Sequence, residues 1–234
     1  MIDLYRRDGR MLRVGHRGAA ALAPENTIES LRLALELGCD LVEFDVHDVD
    51  GALLLVHDHP SGDVAGLPTL DEALEFLAGT GAGVHLDLKA RAAEEAVSDA
   101  LRRHGLIERT VVSSFRPEAL RALARAEPRV RLGLTYPQDR TGLAGRRVAR
   151  PVVRASVAVL KAAVPRRLPN LLARAGASAA MLHFGVVTSA AIARCHALGV
   201  PVLVWTVDDR AMLSKLDAMG VDGVITNDPR IFRG

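Results

Sequence analysis

Short apolar runs alternate with amphipathic segments along almost the whole chain. Eight runs have the length of buried strands: Leu12–His16, Leu41–Val46, Gly83–Leu88, Thr110–Ser113, Val130–Leu134, Ala179–Leu182, Val202–Trp205 and Gly223–Thr226. Most are followed by segments with the apolar period of a helix: Thr27–Leu37, Leu70–Leu77, Ala92–His104, Pro117–Ala126, Ala190–Leu198 and Asp209–Met219. A further run, Leu53–Val56, follows the Asp50-Gly51 turn, which predicts a short β-hairpin after the second strand.

Strands that alternate with helices are typical of a parallel sheet, which can be open or closed. An open, doubly wound sheet usually carries a GxGxxG loop after its first strand, and VGHRGAAALAPENT contains none. A closed (βα)8 barrel typically has about 250 residues, and this chain has 234. The pattern therefore predicts an α/β protein, with a single TIM-barrel domain over residues 1–234.

A barrel of this kind has its active site at the carboxyl ends of the strands, so polar residues should collect there. They do, on seven of the eight predicted strands: His16; Glu43 and Asp45; Asp87 and Lys89; Ser113 and Ser114; His183; Trp205; and Asn227. This distribution supports the closed barrel over the open sheet.

Composition narrows the class of protein. Hydrophobic residues make up 49% and charged residues 25%, as in a soluble globular protein. A net charge of +2 and an aromatic content of 3% give no indication of nucleic-acid binding. Because we find neither a secretory signal nor a transmembrane run, we expect a cytoplasmic protein. Cys39 and Cys195 lie in apolar segments, which favours two buried free thiols over a disulfide.

Glu43 and Asp45 are two residues apart in LVEFDV, so on a strand both carboxylates point to the same face. Two like charges in a barrel interior repel each other unless a cation lies between them. Asp87, on the next strand, could join them around one ion, and ligation by oxygen alone favours Mg²⁺ or Ca²⁺. The alternative is that Glu43 and Asp45 form salt bridges with an arginine such as Arg17.

Two histidines and two cations surround these carboxylates in the predicted site. Cleavage of a phosphodiester needs a base and an acid, and His16 and His57 could supply either near neutral pH. Arg17 could hold a phosphoryl oxygen and Lys89 could add positive charge beside it. Asn26 has two interpretations, as a residue that reaches this site or as the cap of the first helix.

The motifs of the chain resemble those of the glycerophosphodiester phosphodiesterase family. This family belongs to the superfamily of phosphodiesterases that are similar to phosphatidylinositol-specific phospholipase C. The similar motifs lie between about Leu12 and Pro229. In chain order they are GHRG, APENT, EFDV, DG, HD, LPTLDEAL, HLDLK, SSF, VLVWTVDD and VDGVITNDP.

The resemblance implies an enzyme that hydrolyses a small or lipid-derived glycerophosphodiester to glycerol 3-phosphate and an alcohol. It implies the following roles: metal binding by Glu43, Asp45 and Asp87; acid–base catalysis by His16 and His57; phosphate binding by Arg17 and Lys89; and substrate contact by Trp205. Related barrels first form a cyclic phosphate, and the sequence leaves both routes open.

Three features depart from the family pattern. Asp87 stands where the family usually has the longer glutamate, and the hairpin before His57 is about one residue shorter. The segment between His57 and Leu67 is also brief, where relatives commonly have an insertion that covers the site. The alcohol part of the substrate is therefore left open.

The segment Arg140–Arg174 contains nine basic residues and no acidic one. It predicts a basic helical excursion after the fifth strand, broken into at least two helices by Pro165 and the PRRLPN cluster. Such a segment could contact an anionic membrane, attract phosphorylated substrates, or simply be a solvated surface.

Two other functions compete with the favoured metal-dependent hydrolase. One is a phospholipase D-like lyase whose final product is a cyclic phosphate. The other is a catalytically weak barrel that binds phosphodiesters at a membrane surface. The presence of both histidines argues against the second alternative, because binding alone needs neither an acid nor a base.

Overall fold

A computed structural model describes residues 1–60, 62–90, 92–138 and 150–233, with the backbone alone for residues 150–156. The strands in these ranges are β1 (Leu12–Gly15), β2 (Leu41–Val49), β3 (Ala52–Leu55), β4 (Gly83–Leu88), β5 (Thr110–Ser114), β6 (Arg131–Tyr136), β7 (Ala179–His183), β8 (Val202–Trp205) and β9 (Gly223–Thr226). The α-helices are α1 (Ile28–Glu36), α2 (Leu70–Ala78), α3 (Glu94–Arg103), α4 (Pro117–Ala126), α5 (Arg150–Ala175), α6 (Ser189–His196) and α7 (Arg210–Met219).

Eight parallel strands form a closed barrel. Their order is β1-β9-β8-β7-β6-β5-β4-β2, and the pairing of β1 with β2 closes the ring. β3 lies outside the ring and pairs antiparallel with the end of β2, from Val46 to Val49. This pairing explains why β2 extends three residues beyond its predicted end at Val46. The predicted (βα)8 barrel is confirmed.

The inward face of β2 changes from apolar to polar along the strand. On β2 the inward series is Leu41, Glu43, Asp45, because side chains on a strand alternate between faces. The lower interior is an apolar cluster with members from six of the ring strands: Leu12, Val14, Leu41, Val111, Ala179, Met181, Leu203 and Ile225. Ile2 and Leu4, from the chain before β1, join this cluster. The barrel interior is therefore an apolar plug below the carboxyl ends of the strands.

The outward face of the sheet packs against the helices and forms the larger core. Phe44, between the two inward carboxylates of β2, is completely buried in this layer. Full burial of one large apolar side chain contributes roughly 1.5–3 kcal/mol. The same strand thus stabilises the barrel with one face and carries polar groups on the other.

Helix α5 corrects one prediction, because it continues through Pro165 and Pro169 as a single element. A proline inside a helix removes one backbone hydrogen bond. Here Val164, Leu168 and Leu172, spaced four residues apart, are buried on one side of the helix and anchor the turns on both sides of Pro165. The preceding part of the basic segment, residues 140–149, lies outside the described residues. No helix in the described ranges is long and apolar enough to cross a membrane.

The two cysteines are free and buried, as predicted. Burial raises the pKa of Cys39 to about 12 and that of Cys195 to about 11. Both are therefore unreactive thiols that pack in the core.

The turn after β1 depends on Gly18, and we predict that Gly18→Ala strongly destabilises the fold. Gly18 has φ +81°, and a Cβ there would lie 2.3 Å from Ser30 Oγ and 2.4 Å from the Ser30 carbonyl carbon. We expect urea denaturation to show a loss of about 3 kcal/mol or more in the free energy of unfolding.

Gly51→Ala is the matched control. Gly51 has φ +86° and no neighbour within 4 Å of a Cβ. Gly51→Ala should therefore lower the free energy of unfolding by only roughly 1–2 kcal/mol, the cost of a left-handed backbone for alanine. Equal losses for the two variants would show that close packing at Gly18 is unimportant.

Candidate active site

A cavity of about 140 Å³ opens at the carboxyl ends of the barrel strands. All eight residues predicted for the site line it: His16, Arg17, Glu43, Asp45, His57, Asp87, Lys89 and Trp205. Sequence reasoning assigned no role to the remaining residues of its wall, which are His85, Ser113, Phe115, Thr135, Met181, Thr206 and Ile225. The structure thus brings together side chains from the whole barrel ring.

The three predicted metal ligands lie side by side on β2 and β4. Asp45 is directly opposite Asp87 in the parallel register of the two strands. Each of Glu43, Asp45 and Asp87 is buried and offers one carboxylate oxygen within 4.8 Å of the others. Such a set of oxygen ligands matches the preference of Mg²⁺ and Ca²⁺.

Two cations partly neutralise this cluster. Lys89 Nζ lies 3.1 Å from Asp45 Oδ1 and also contacts Asp87 Oδ2. Arg17 Nε lies 3.1 Å from Asp45 Oδ2, so the salt bridge considered as an alternative to a metal exists for Asp45, whereas Glu43 accepts the Arg17 backbone N–H instead. Burial alone would lower the pKa of Lys89, but Asp87 and Asp45 raise it above its ordinary value.

The pKa of Glu43 shows that Lys89 and Arg17 do not fully neutralise the negative charge of the carboxylates. Burial, followed by the charges of Asp45 and Asp87, raises its pKa well above the usual range, although the Arg17 backbone N–H donates to its Oε2 at 2.8 Å. The two cations face these three carboxylates and also Glu25, which shares Arg17, so the fully ionised cluster has an excess of negative charge in a buried cavity. A divalent cation would remove the repulsion, so the residues present fit such an ion.

The loop between β1 and α1 is held against Asp45 by Asn26. The Asn26 amide donates to Asp45 Oδ2 at 3.1 Å, and its oxygen accepts the Asp45 backbone N–H at 3.0 Å. Asn26 has φ +58°, a left-handed conformation that asparagine tolerates. Since Thr27 provides the cap of α1, the structure favours the first interpretation of Asn26, that it reaches the site.

Arg17 is held from two sides. Its Nη1 donates to both carboxylate oxygens of Glu25 at 2.8 Å, while its Nε faces Asp45. The guanidinium is therefore oriented before any ligand arrives, and Glu25 has a structural role.

His16 is oriented by a chain of hydrogen bonds that the sequence did not reveal. Asp208 accepts the Asn227 backbone N–H and side-chain N–H₂, both at 2.7 Å. The Asn227 oxygen must therefore face His16 Nδ1, at 2.6 Å. Because an amide oxygen only accepts, His16 carries its proton on Nδ1. Its Nε2, which then carries the lone pair, lies 3.9 Å from Glu43 Oε2.

His57 has a different environment. It follows β3, and its side chain is 37% exposed, compared with 16% for His16. Its Nδ1 lies 3.1 Å from the exposed carboxylate of Asp58. His47 Nε2 bonds the backbone oxygen of His57 at 3.0 Å and supports the loop. The two histidines therefore differ in burial and in the partner of Nδ1.

Aromatic rings form another wall of the cavity. Trp205 Nε1 donates to the Met181 carbonyl at 3.1 Å, which fixes the indole. The ring centroids of Phe115 and His183 lie 5.9 Å and 5.0 Å from that of Trp205. Phe115 also lies under Lys89, with Nζ 5.4 Å from the ring centroid. The cavity thus has charged and aromatic walls, suited to a ligand with an anionic centre and a less polar end.

The sequence profile of the glycerophosphoryl diester phosphodiesterase family matches residues 16–73 and 64–231. A glycerophosphodiester phosphodiesterase of Caldanaerobacter subterraneus subsp. tengcongensis is 27% identical over 256 residues, covering 94% of this chain and 95% of the relative.

Two solved structures have a similar fold. A putative glycerophosphoryl diester phosphodiesterase from Silicibacter pomeroyi superposes with a TM-score of 0.78 at 24% identity, covering 97% of this chain and 93% of its own. An Oleispira antarctica phosphodiesterase, in complex with the product sn-glycerol-3-phosphate, has a TM-score of 0.72 at 24% identity, covering 94% of each chain.

The environment of His16 predicts a depressed pKa. Burial is the largest cause and lowers it below the ordinary histidine value, although the Asn227 hydrogen bond opposes this. We predict that Asn227→Asp raises the pKa of His16, because a carboxylate beside Nδ1 stabilises the imidazolium. NMR titration of His16 in both proteins measures this. An unchanged or lower pKa in the variant would contradict the hydrogen bond between these side chains.

Proposed function

The chain belongs to the glycerophosphoryl diester phosphodiesterase family, and we propose that it hydrolyses glycerophosphodiesters to glycerol 3-phosphate and an alcohol. The observation that carries the proposal is the cavity, where three buried carboxylates lie beside two histidines and two cations. The product sn-glycerol-3-phosphate bound to the similar Oleispira antarctica phosphodiesterase supports the substrate class.

We propose that Glu43, Asp45 and Asp87 hold one divalent cation, either Mg²⁺ or Ca²⁺. Their three oxygens within 4.8 Å and the raised pKa of Glu43 support this assignment. The ion would stabilise the negative charge that develops on the phosphoryl oxygens.

His16 and His57 serve as the base and the acid in this proposal. His16 presents the lone pair of Nε2 on the cavity side, since its Nδ1 proton is held by Asn227, and it accepts the proton of the attacking hydroxyl. His57, exposed at the rim beside Asp58, protonates the oxygen of the departing alcohol. The attacking hydroxyl is that of water, or that of a neighbouring substrate hydroxyl if a cyclic phosphate forms first.

Lys89 and Arg17 bind the phosphoryl oxygens in this proposal. Lys89 is held between Asp45 and Asp87, where an anionic group could approach its third N–H donor. Trp205, fixed by Met181, contacts the less polar part of the substrate. Glu25 already occupies the Nη1 donors of Arg17, so an anionic group would bind this guanidinium through its remaining donors.

The alternative, a lyase, would use the same side chains and would release a cyclic phosphate as its final product. A cyclic phosphate that accumulates without glycerol 3-phosphate would favour the lyase. Binding of glycerophosphodiesters without turnover would favour the catalytically weak barrel.

Peripheral contact with an anionic membrane through residues 140–174 stays a prediction. Residues 140–149 lie outside the described ranges. In the described part of α5, Lys161, Arg166 and Arg167 are exposed and give that surface a positive charge.

Removal of divalent cations should abolish the activity. We expect release of glycerol 3-phosphate from glycerophosphocholine to stop in excess chelator and to recover when Mg²⁺ or Ca²⁺ is added. Asp45→Asn should lower the activity by at least about 100-fold even with added metal. Loss of a residue that only orients a metal ligand already costs about 10–100-fold, and Asp45 is proposed to bind the ion directly. Full activity in chelator would contradict a metal-dependent reaction.

Loss of either histidine should remove most of the activity. His16→Ala and His57→Ala should each lower kcat by about 10²–10⁴-fold, the usual contribution of a positioned acid or base. His104→Ala is the control, because His104 bonds Asp71 on the surface and should leave kcat unchanged. If His16→Ala or His57→Ala released product at the wild-type rate, the substituted histidine would not be the acid or the base of the reaction.

A further inference from the structure

The two oxygens of the Asp87 carboxylate have different surroundings. Ser113 Oγ donates to Oδ1 at 2.6 Å, and Thr135 Oγ1 lies 3.4 Å from the same oxygen. Oδ2 contacts Lys89, whose Nζ is 3.1 Å from Asp45 Oδ1. Oδ2 therefore lies on the side of the carboxylate cluster, while Oδ1 is bonded to the neighbouring strands β5 and β6.

His85 extends this hydrogen-bonded chain by one member. It lies two residues before Asp87 on the same face of β4, and its Nε2 is 2.9 Å from Ser113 Oγ. A serine hydroxyl has one proton, and Ser113 gives it to Asp87, because an ionised carboxylate only accepts. Ser113 Oγ must therefore accept from His85, which carries a proton on Nε2. The hydrogen bonds run in one direction, from His85 through Ser113 to Asp87.

The other ring nitrogen of His85 is unusual. His85 is only 2% exposed, and its buried Nδ1 has no hydrogen-bond partner among the described residues. A buried polar atom without a partner costs free energy, so such atoms are rare and indicate that the residue is needed for another reason.

We propose that His85 and Ser113 are positioning residues that anchor Asp87 Oδ1 and so present Oδ2 to the divalent cation. The inference rests on the metal site proposed above. A carboxylate can exchange its two oxygens by rotation about one bond, and donors on one oxygen restrict that rotation. Residues that orient a metal ligand in this way commonly change metal affinity by about 10–100-fold.

Metal affinity tests this chain of hydrogen bonds from His85 through Ser113 to Asp87, called the relay below, without relying on catalysis. Isothermal titration calorimetry with Mn²⁺ and with Ca²⁺ should show a Kd about 10-fold weaker for Ser113→Ala and for His85→Leu. The double variant should be no weaker than about the worse single variant, because both changes break one chain of hydrogen bonds. His85→Gln, whose amide can place an N–H near the position of Nε2, should restore the Kd to within about 3-fold of wild type.

Ser114→Ala is the matched control. Ser114 is the next residue on β5, is equally buried, and donates to the Leu88 carbonyl at 2.8 Å without touching Asp87. It should bind both ions with the wild-type Kd.

Several results would overturn the relay. Wild-type affinity in both Ser113→Ala and His85→Leu would do so, and so would a His85→Gln variant as weak as His85→Leu. If no ion binds to the wild-type protein, the metal site itself is wrong. Should the variants fail to fold, ¹⁵N NMR of the His85 ring in wild-type protein still decides, since a proton on Nδ1 instead of Nε2 would refute the relay.

Discussion

Mutual repulsion among Glu43, Asp45 and Asp87 is the constraint on which the rest of the site depends. Their oxygens lie within 4.8 Å of one another in a buried cavity. At that distance two unit charges repel by about 3 kcal/mol when the effective dielectric constant is about 20. Lys89 and Arg17 relieve part of this repulsion, Asn26 and Ser113 donate hydrogen bonds to two of the carboxylates, and a divalent cation would relieve the remainder.

The barrel tolerates this cluster because the apolar residues that stabilise its interior and the polar residues of the site lie at opposite ends of the strands. The inward residues are apolar at the amino end of β2 and acidic at its carboxyl end, while Phe44 on the outer face packs in the core. The apolar plug that includes Leu12 and Leu203 closes the barrel below the site. Close packing at the amino end of the barrel, and against the surrounding helices, thus offsets the unfavourable electrostatic free energy at the carboxyl end.

The fold and the carboxylates were predictable because each depends on local spacing. Glu43 and Asp45 share a face through the two-residue period of a strand, and Asp87 follows on the next ring strand. The chains from Asp208 through Asn227 to His16, and from His85 through Ser113 to Asp87, were not predictable. They join residues on different strands or loops, and their geometry depends on register and side-chain rotamers. The uninterrupted helix through Pro165 was missed because tertiary packing at Val164 and Leu168 outweighs a local proline signal.

A shared divalent cation is the central claim of this account of a glycerophosphoryl diester phosphodiesterase family member. Anomalous diffraction from crystals grown with Mn²⁺ in place of Mg²⁺ tests it most directly. The account predicts one strong anomalous peak within bonding distance of Glu43, Asp45 and Asp87. A well-ordered site with no peak there at saturating Mn²⁺, and Lys89 still bridging Asp45 and Asp87, would contradict it.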